Sequence, residues 1–257
     1  MLRRQSQGDH SPLAAMHGLS CGLKAWATQT AADGAEDARK LTGGHGYMEI
    51  CGLQDIVGSV TATATLEGEN YVMWQQLASY LVKIRGASSI SMPADFAHAS
   101  AWNKHMMTLV SAARAYTDFY ILKCFISNVE AISDHAVHEV MARLCSLFAL
   151  STIISPTSHN AISFMQDSYF SFTQLSEIRE QVDVLLEELL PNIVLLMDAW
   201  NFTDVSLASA IGCYDGNAYE RLMSWTRQLP INVKGRNGGG PVEGFEQYLK
   251  PCFQSKL

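Results

Sequence analysis

The chain has 257 residues, enough for one large domain or two small ones with a proper core, and its 48% hydrophobic and 17% charged composition excludes wholesale disorder. A formal net charge of −7 leaves no basic excess to neutralise phosphates, which argues against nucleic-acid binding. Eleven of the 18 glycines lie in residues 1–86, seven lie from Gly212 onward and none falls between. Glycine costs about 1 kcal/mol in a helix interior relative to alanine, so this gap predicts a long helical segment. The same stretch, 87–211, carries 13 acidic against 5 basic residues and holds the acidity of the chain.

In chain order, Met1-Leu2-Arg3-Arg4 has a trace of transit-peptide character, but Asp9, His10 and Pro12 follow too soon for an amphipathic presequence. Leu19, Leu23, Ala27, Thr30, Gly34, Ala38 and Leu41 follow helical spacing, with a buried stripe of mostly small residues and a stop at Gly43-Gly44. From Tyr47 to Leu66 glycines mix with β-branched residues, and the section reads as irregular. Met73, Leu77, Tyr80 and Leu81 predict a helix from about Gly68 to Ile84, and Gly86 to Pro93 reads as a linker.

Beyond it, apolar periodicity predicts helices at about 98–128, 136–154, 173–200 and 217–228, and Lys234 to Gly240 reads as a flexible loop. The expected fold class is all-α, a helical bundle, in two parts at 1–85 and 86–257. Six cysteines without short pairing suit reduced thiols in an intracellular compartment. The longest apolar run, Leu144 to Ile154, is short of the roughly 20 residues that span a bilayer, so no membrane span is expected.

Among chemical candidates, Glu67-Gly68-Glu69-Asn70 stands at a helix start about twenty residues after Gly43-Gly44-His45-Gly46-Tyr47. A carboxylate there can be aimed into a cleft as a general base, or can simply cap the helix. Gly43-Gly44-His45-Gly46 can bring bare backbone close to a phosphate, but it ends a helix rather than opening one and reads first as a C-cap turn. His135 and His138 lack the H-E-x-x-H order, so no metal site is expected, and Glu177, Glu180, Asp183, Glu187 and Glu188 read as a solvated helix face. The terminal Ser255-Lys256-Leu257 is the tripeptide address for peroxisomal import.

Taken together, Ala31-Ala-Asp-Gly34, Ala38-Arg-Lys-Leu-Thr-Gly-Gly-His-Gly-Tyr47, Ala64-Thr-Leu-Glu-Gly-Glu-Asn70 and Ile211-Gly-Cys-Tyr-Asp-Gly-Asn-Ala-Tyr-Glu220 resemble the peroxisomal acyl-CoA oxidases. The resemblance implies the end of an acyl-CoA dehydrogenase-like helical domain in 1–85 and a second C-terminal helical domain in 86–257. It also implies FAD-dependent oxidation of a fatty acyl-CoA by O₂ to the trans-2-enoyl-CoA and hydrogen peroxide, in a peroxisomal homodimer delivered by the import receptor. Glu67 would be the base, and its own backbone N–H would be one donor to the thioester oxygen. Gly43 and Gly44 would lie against the FAD of the neighbouring subunit, and Glu69 and Asn70 would sit near the flavin. Members of that family are longer, with N-terminal helical and central β domains, so this chain corresponds to a C-terminal portion lacking most of the flavin site. Two alternatives stand beside it: a non-catalytic helical chain that associates with a full-length oxidase, and a dehydrogenase that uses an electron-transfer partner.

Overall fold

The computed structural model describes residues 11–87, 99–155, 160–236, 247–248 and 250–254, and among these every regular element is helical. The helices are α1 (Ser11–Leu41), α2 (Leu53–Thr63), α3 (Asn70–Ala87), α4 (Ala99–Glu130), α5 (His135–Ile154), α6 (Asn160–Gln166) and α7 (Phe172–Leu189). They continue with α8 (Ile193–Asp198), α9 (Asp204–Leu207), α10 (Ala218–Gln228), α11 (Pro230–Arg236) and α12 (Lys250–Gln254). Short 3₁₀ segments occupy Gly43–Tyr47, Glu49–Cys51 and Leu190–Asn192.

Two compact units divide these elements. The first takes residues up to 33 together with 60–200, and the second takes 34–59 together with 201 onward. In the first, α4 packs against both α3 and α5, and α5 packs against α7. Its core is Ala25, Trp74, Leu77, Ala78, Val110 and Ala113, with Met73, Tyr80 and Leu81 packed around it as their periodicity predicted. The face of α1 differs from expectation. Gly18, Cys21, Gly22 and Ala25 are buried, whereas Ala27, Thr30, Gly34 and Ala38 are exposed and Leu41 is 88% exposed. The reason is steric: a Cβ at Gly22 would stand 2.5 Å from Leu77 Cδ2 and 2.7 Å from Thr117 Oγ1, so the glycine face is the one that seats α1 on α3 and α4.

Side-chain capping sets the starts of two helices. Asp134 accepts the Val137 amide at α5, and Ser171 with Gln174 forms a reciprocal capping box at α7. Arg143 bonds Glu139 at 2.6 Å and Glu188 at 3.1 Å, tying α5 to α7. By length and composition α5 could cross a bilayer; its ion pairs and its packing between α4 and α7 give it the part of a bundle helix. The single helix expected over 173–200 is broken, because Pro191 has no N–H to donate and a 3₁₀ turn separates α7 from α8.

In the second unit, Cys51, Ala210 and Leu222 form a small core with Ile50, Ile211 and Trp225 against it. The Ile211–Glu220 motif therefore folds onto the segment that follows Gly43-Gly44. His45 meets the Tyr219 ring edge-on at 5.6 Å, and Arg39 lies over Tyr47 at 5.7 Å. The section expected to be irregular contains α2, whose β-branched residues sit on a largely exposed helix with Asp55 in its first turn. The expected loop at Lys234 is helical through Arg236, while the linker from 88 to 93 and the terminal Ser255-Lys256-Leu257 lie outside the described residues.

Candidate active site

Glu67 occupies the connection between α2 and α3. The end of α2 tightens through Ala64 N–H to Thr61 O at 3.2 Å, Thr65 N–H to Ala62 O at 3.1 Å and Leu66 N–H to Ala62 O at 3.1 Å. The chain then reverses through two residues of positive φ, Glu67 at 57° and Gly68 at 113°, and Asn70 N–H closes on Ala64 O at 3.2 Å. A left-handed conformation costs a non-glycine residue about 1–2 kcal/mol, so the surroundings must hold Glu67 in place. Gly68 occupies a region open almost only to glycine. The expected start of α3 at Gly68 shifts to Asn70 for this reason.

Capping and candidate chemistry divide between the two glutamates. Glu69 Oε2 accepts the amides of Tyr71 at 2.8 Å and Val72 at 3.3 Å, so Glu69 caps α3. Glu67 is exposed, and among the described residues its carboxylate enters no ion pair and its amide has no acceptor. The side chain is thus open to a ligand, and the N–H is not committed within the described residues.

Beneath the turn lies a polar cluster that sequence reasoning did not find. Lys24 Nζ donates to Gly68 O at 2.7 Å, Asn70 Oδ1 at 2.9 Å and Ala64 O at 3.2 Å. Asn70 is only 5% exposed; its Nδ2 donates to Ala25 O at 3.3 Å, and the Thr28 hydroxyl stands 3.1 Å from its Oδ1. The available signal was a single cation, Lys24, inside the small-residue stretch of α1, one turn before Thr28.

Gly43 and Gly44 belong to the second unit. Gly43 has φ +62° just past the end of α1, as a helix-stopping glycine requires, and a Cβ on either residue would meet nothing within 4 Å. The glycine that packing demands is Gly46, whose added Cβ would collide with Arg39 O and Thr42 Oγ1. Among the described residues no group of His, Cys, Asp and Glu could hold a metal ion.

A cleft of about 1020 Å³ in the first unit is bounded by Trp26, Tyr71, Arg114, Asp118, Phe148 and Asp183, among others. Arg114 lies over Tyr71 at 5.5 Å and over Trp74 at 5.7 Å, and Trp26 Nε1 donates to Asp118 at 3.0 Å. Glu67, Glu69 and Asn70 are not among the residues bounding this cleft.

The acyl-CoA oxidase family model matches residues 70–254, and the acyl-CoA oxidase C-alpha1 domain model matches 1–82. Peroxisomal acyl-coenzyme A oxidase 1 of Rattus norvegicus is 32% identical, with 98% of this chain and 46% of that protein covered. Peroxisomal acyl-coenzyme A oxidase 2 of Oryctolagus cuniculus is 31% identical, over 96% and 44%. The solved structure of Caenorhabditis elegans acyl-CoA oxidase-1 complexed with FAD and ATP superposes with a TM-score of 0.88 at 27% identity, over 99% of this chain and 46% of that one. Arabidopsis thaliana acyl-CoA oxidase 1 gives 0.86 at 25% identity, over 99% and 46%. The chain spans just under half the length of these relatives.

Proposed function

The chain belongs to the acyl-CoA oxidase family, and on that premise we propose that it supplies the base-bearing helical portion of an acyl-CoA oxidase, with Glu67 as the base. The reaction is acyl-CoA plus O₂ to trans-2-enoyl-CoA plus hydrogen peroxide. The observation that carries the reading is the exposed, unpaired carboxylate of Glu67 on a left-handed turn held from below.

The thioester acidifies the α-hydrogen of the substrate, and the Glu67 carboxylate takes that proton. Charge developing on the thioester oxygen needs a donor in place beforehand, a role suited to the unengaged Glu67 N–H. Bound FAD supplies the hydride acceptor and its reoxidation by O₂. Each element by itself suits approach of a flavin: Gly43 and Gly44 present backbone with open space where side chains would stand, and, separately, Glu67 is exposed. In a homodimer, Gly43 and Gly44 would be the residues set against the flavin of the neighbouring subunit. Glu69 and Asn70 contribute to the flavin-facing edge by holding its backbone, one as the cap of α3 and the other from within.

We divide the chain at 1–85 and 86–257; matches of one family model to 1–82 and of the other to 70–254 support a change of domain in that region. The peroxisomal matrix as destination rests on the Ser255-Lys256-Leu257 ending and on the peroxisomal names of the relatives. The test joins the chain to a complete flavin-holding half and measures acyl-CoA-dependent peroxide. Peroxide from the joined form supports the proposal; a flavin-loaded joined form that makes none defeats it.

A second reading, association with a full-length oxidase without catalysis, is favoured by one observation. Leu190, Val194, Leu195, Met197 and Trp200 are each more than 60% exposed on and around α8. A colourless protein that co-purifies with an oxidase supports that reading, and a yellow one with flavin absorbance supports the enzyme.

A further inference from the structure

We propose that Lys24 is a positioning residue for Glu67: its ammonium clips both ends of the base-bearing turn, and the buried carboxamide beside it, to helix α1. The inference rests on the reading of Glu67 as the base.

The donor count is the first argument. A protonated lysine has three N–H donors, and Lys24 Nζ has three acceptors, at 2.7 Å (Gly68 O), 2.9 Å (Asn70 Oδ1) and 3.2 Å (Ala64 O). Two of them are backbone carbonyls that bracket Glu67, three residues before it and one after. The clip therefore spans the segment whose conformation decides where the Glu67 carboxylate points.

The second argument is that the clip is itself anchored. Asn70 Oδ1 also lies 3.1 Å from the Thr28 hydroxyl, and Asn70 Nδ2 donates to Ala25 O at 3.3 Å. Lys24, Ala25 and Thr28 share one face of α1, and Ala25 is fully buried in the core with Trp74 and Leu77. Rigidity passes from packed helices into a turn that carries a left-handed glutamate.

Electrostatics is the third. No carboxylate pairs with Lys24 among the described residues, so its partly buried charge is met by carbonyl and carboxamide dipoles alone. Ala64 directly follows the last residue of α2, where the negative end of the helix dipole favours a cation. Three oxygens converge on this one nitrogen, matching the three donors of an ammonium. A guanidinium keeps the charge but is a planar fork, so arginine replaces the clip only in part.

Displacing a catalytic group by about 1 Å costs on the order of 10²-fold in rate, and that sets the scale of the test. In the chain joined to a flavin-holding half, Lys24→Met is expected to lower kcat by roughly 10- to 100-fold with KM unchanged, and Lys24→Arg to recover part of the loss. In the 257-residue chain alone, the amides of residues 65–70 are expected to exchange with deuterium at least about tenfold faster in Lys24→Met, with α4 and α5 unaltered. Thr28→Val removes the hydroxyl that stands 2.9 Å from Lys24 O and 3.1 Å from Asn70 Oδ1 and is expected to loosen 65–70 in milder form, so it and Lys24→Arg decide the matter if Lys24→Met does not fold. Wild-type exchange over 65–70 in the folded variants, or wild-type turnover, overturns the clip. The base reading is separated by Glu67→Gln: if that variant stays active while Lys24→Met still loosens 65–70, the base assignment fails and the clip stands.

Discussion

Ser209 and Cys51, 158 residues apart in sequence, meet in a hydrogen bond of 2.5 Å from the Ser209 hydroxyl to the Cys51 carbonyl. Ser209 Oγ in turn accepts the Gly212 amide at 3.1 Å, and Ala210 N–H reaches Ile50 O at 3.2 Å. These bonds fasten the Ile211–Glu220 motif to the segment following the Gly43-Gly44 turn. Ser209→Ala removes this donor from the carbonyl of the fully buried Cys51, at about 1–3 kcal/mol for an unsatisfied buried group. Chemical denaturation followed by circular dichroism should report that loss, and an unchanged midpoint would contradict it.

Two glycines of α1 should respond with opposite sign. Gly22→Ala forces a methyl against Leu77 and Thr117 and should destabilise by about 1–3 kcal/mol. Gly34→Ala adds a methyl where nothing stands within 4 Å and should stabilise by about 0.5–1 kcal/mol through helix propensity. Thermal unfolding of the pair checks both the sign and the contact.

Acid sensitivity should include Glu36. The hydrogen bond from Arg39, helped by the charges of Arg39 and Lys40, pulls this carboxyl from 4.5 down to about 2. A carboxyl depressed in the folded state stabilises fully above its unfolded value and loses that contribution as pH falls through its folded one. The loss from Glu36 therefore runs between pH 4.5 and about 2. An NMR titration should place the midpoint near the lower figure, and Arg39→Ala should return it toward the upper one.

Much of this architecture was legible because large apolar side chains mark their own faces. Leu77 is fully buried, and Met73, Tyr80 and Leu81 pack on the core where their spacing put them. The face of α1 was not legible, since Gly18, Gly22 and Ala25 carry almost no hydropathy and are buried by close approach to Tyr80 and Leu77. Nor was α2, which forms with no buried residue to give it an apolar stripe. At the candidate site, motif resemblance drew attention to Glu67, but the split between Glu69 as cap and Glu67 as open carboxylate required the turn geometry. Lys24 reaches its partners across 40 to 46 residues, a separation that no local pattern encodes.

The most direct test of the central claim is turnover by Glu67→Gln in the chain joined to a flavin-holding half. Glutamine keeps the size, the turn and the backbone N–H while removing the base. Loss of a proton acceptor predicts a fall of roughly 10²–10⁴-fold in acyl-CoA-dependent peroxide formation with flavin content unchanged. Peroxide formation at the wild-type rate would show that the α-proton leaves by another route and would contradict the account.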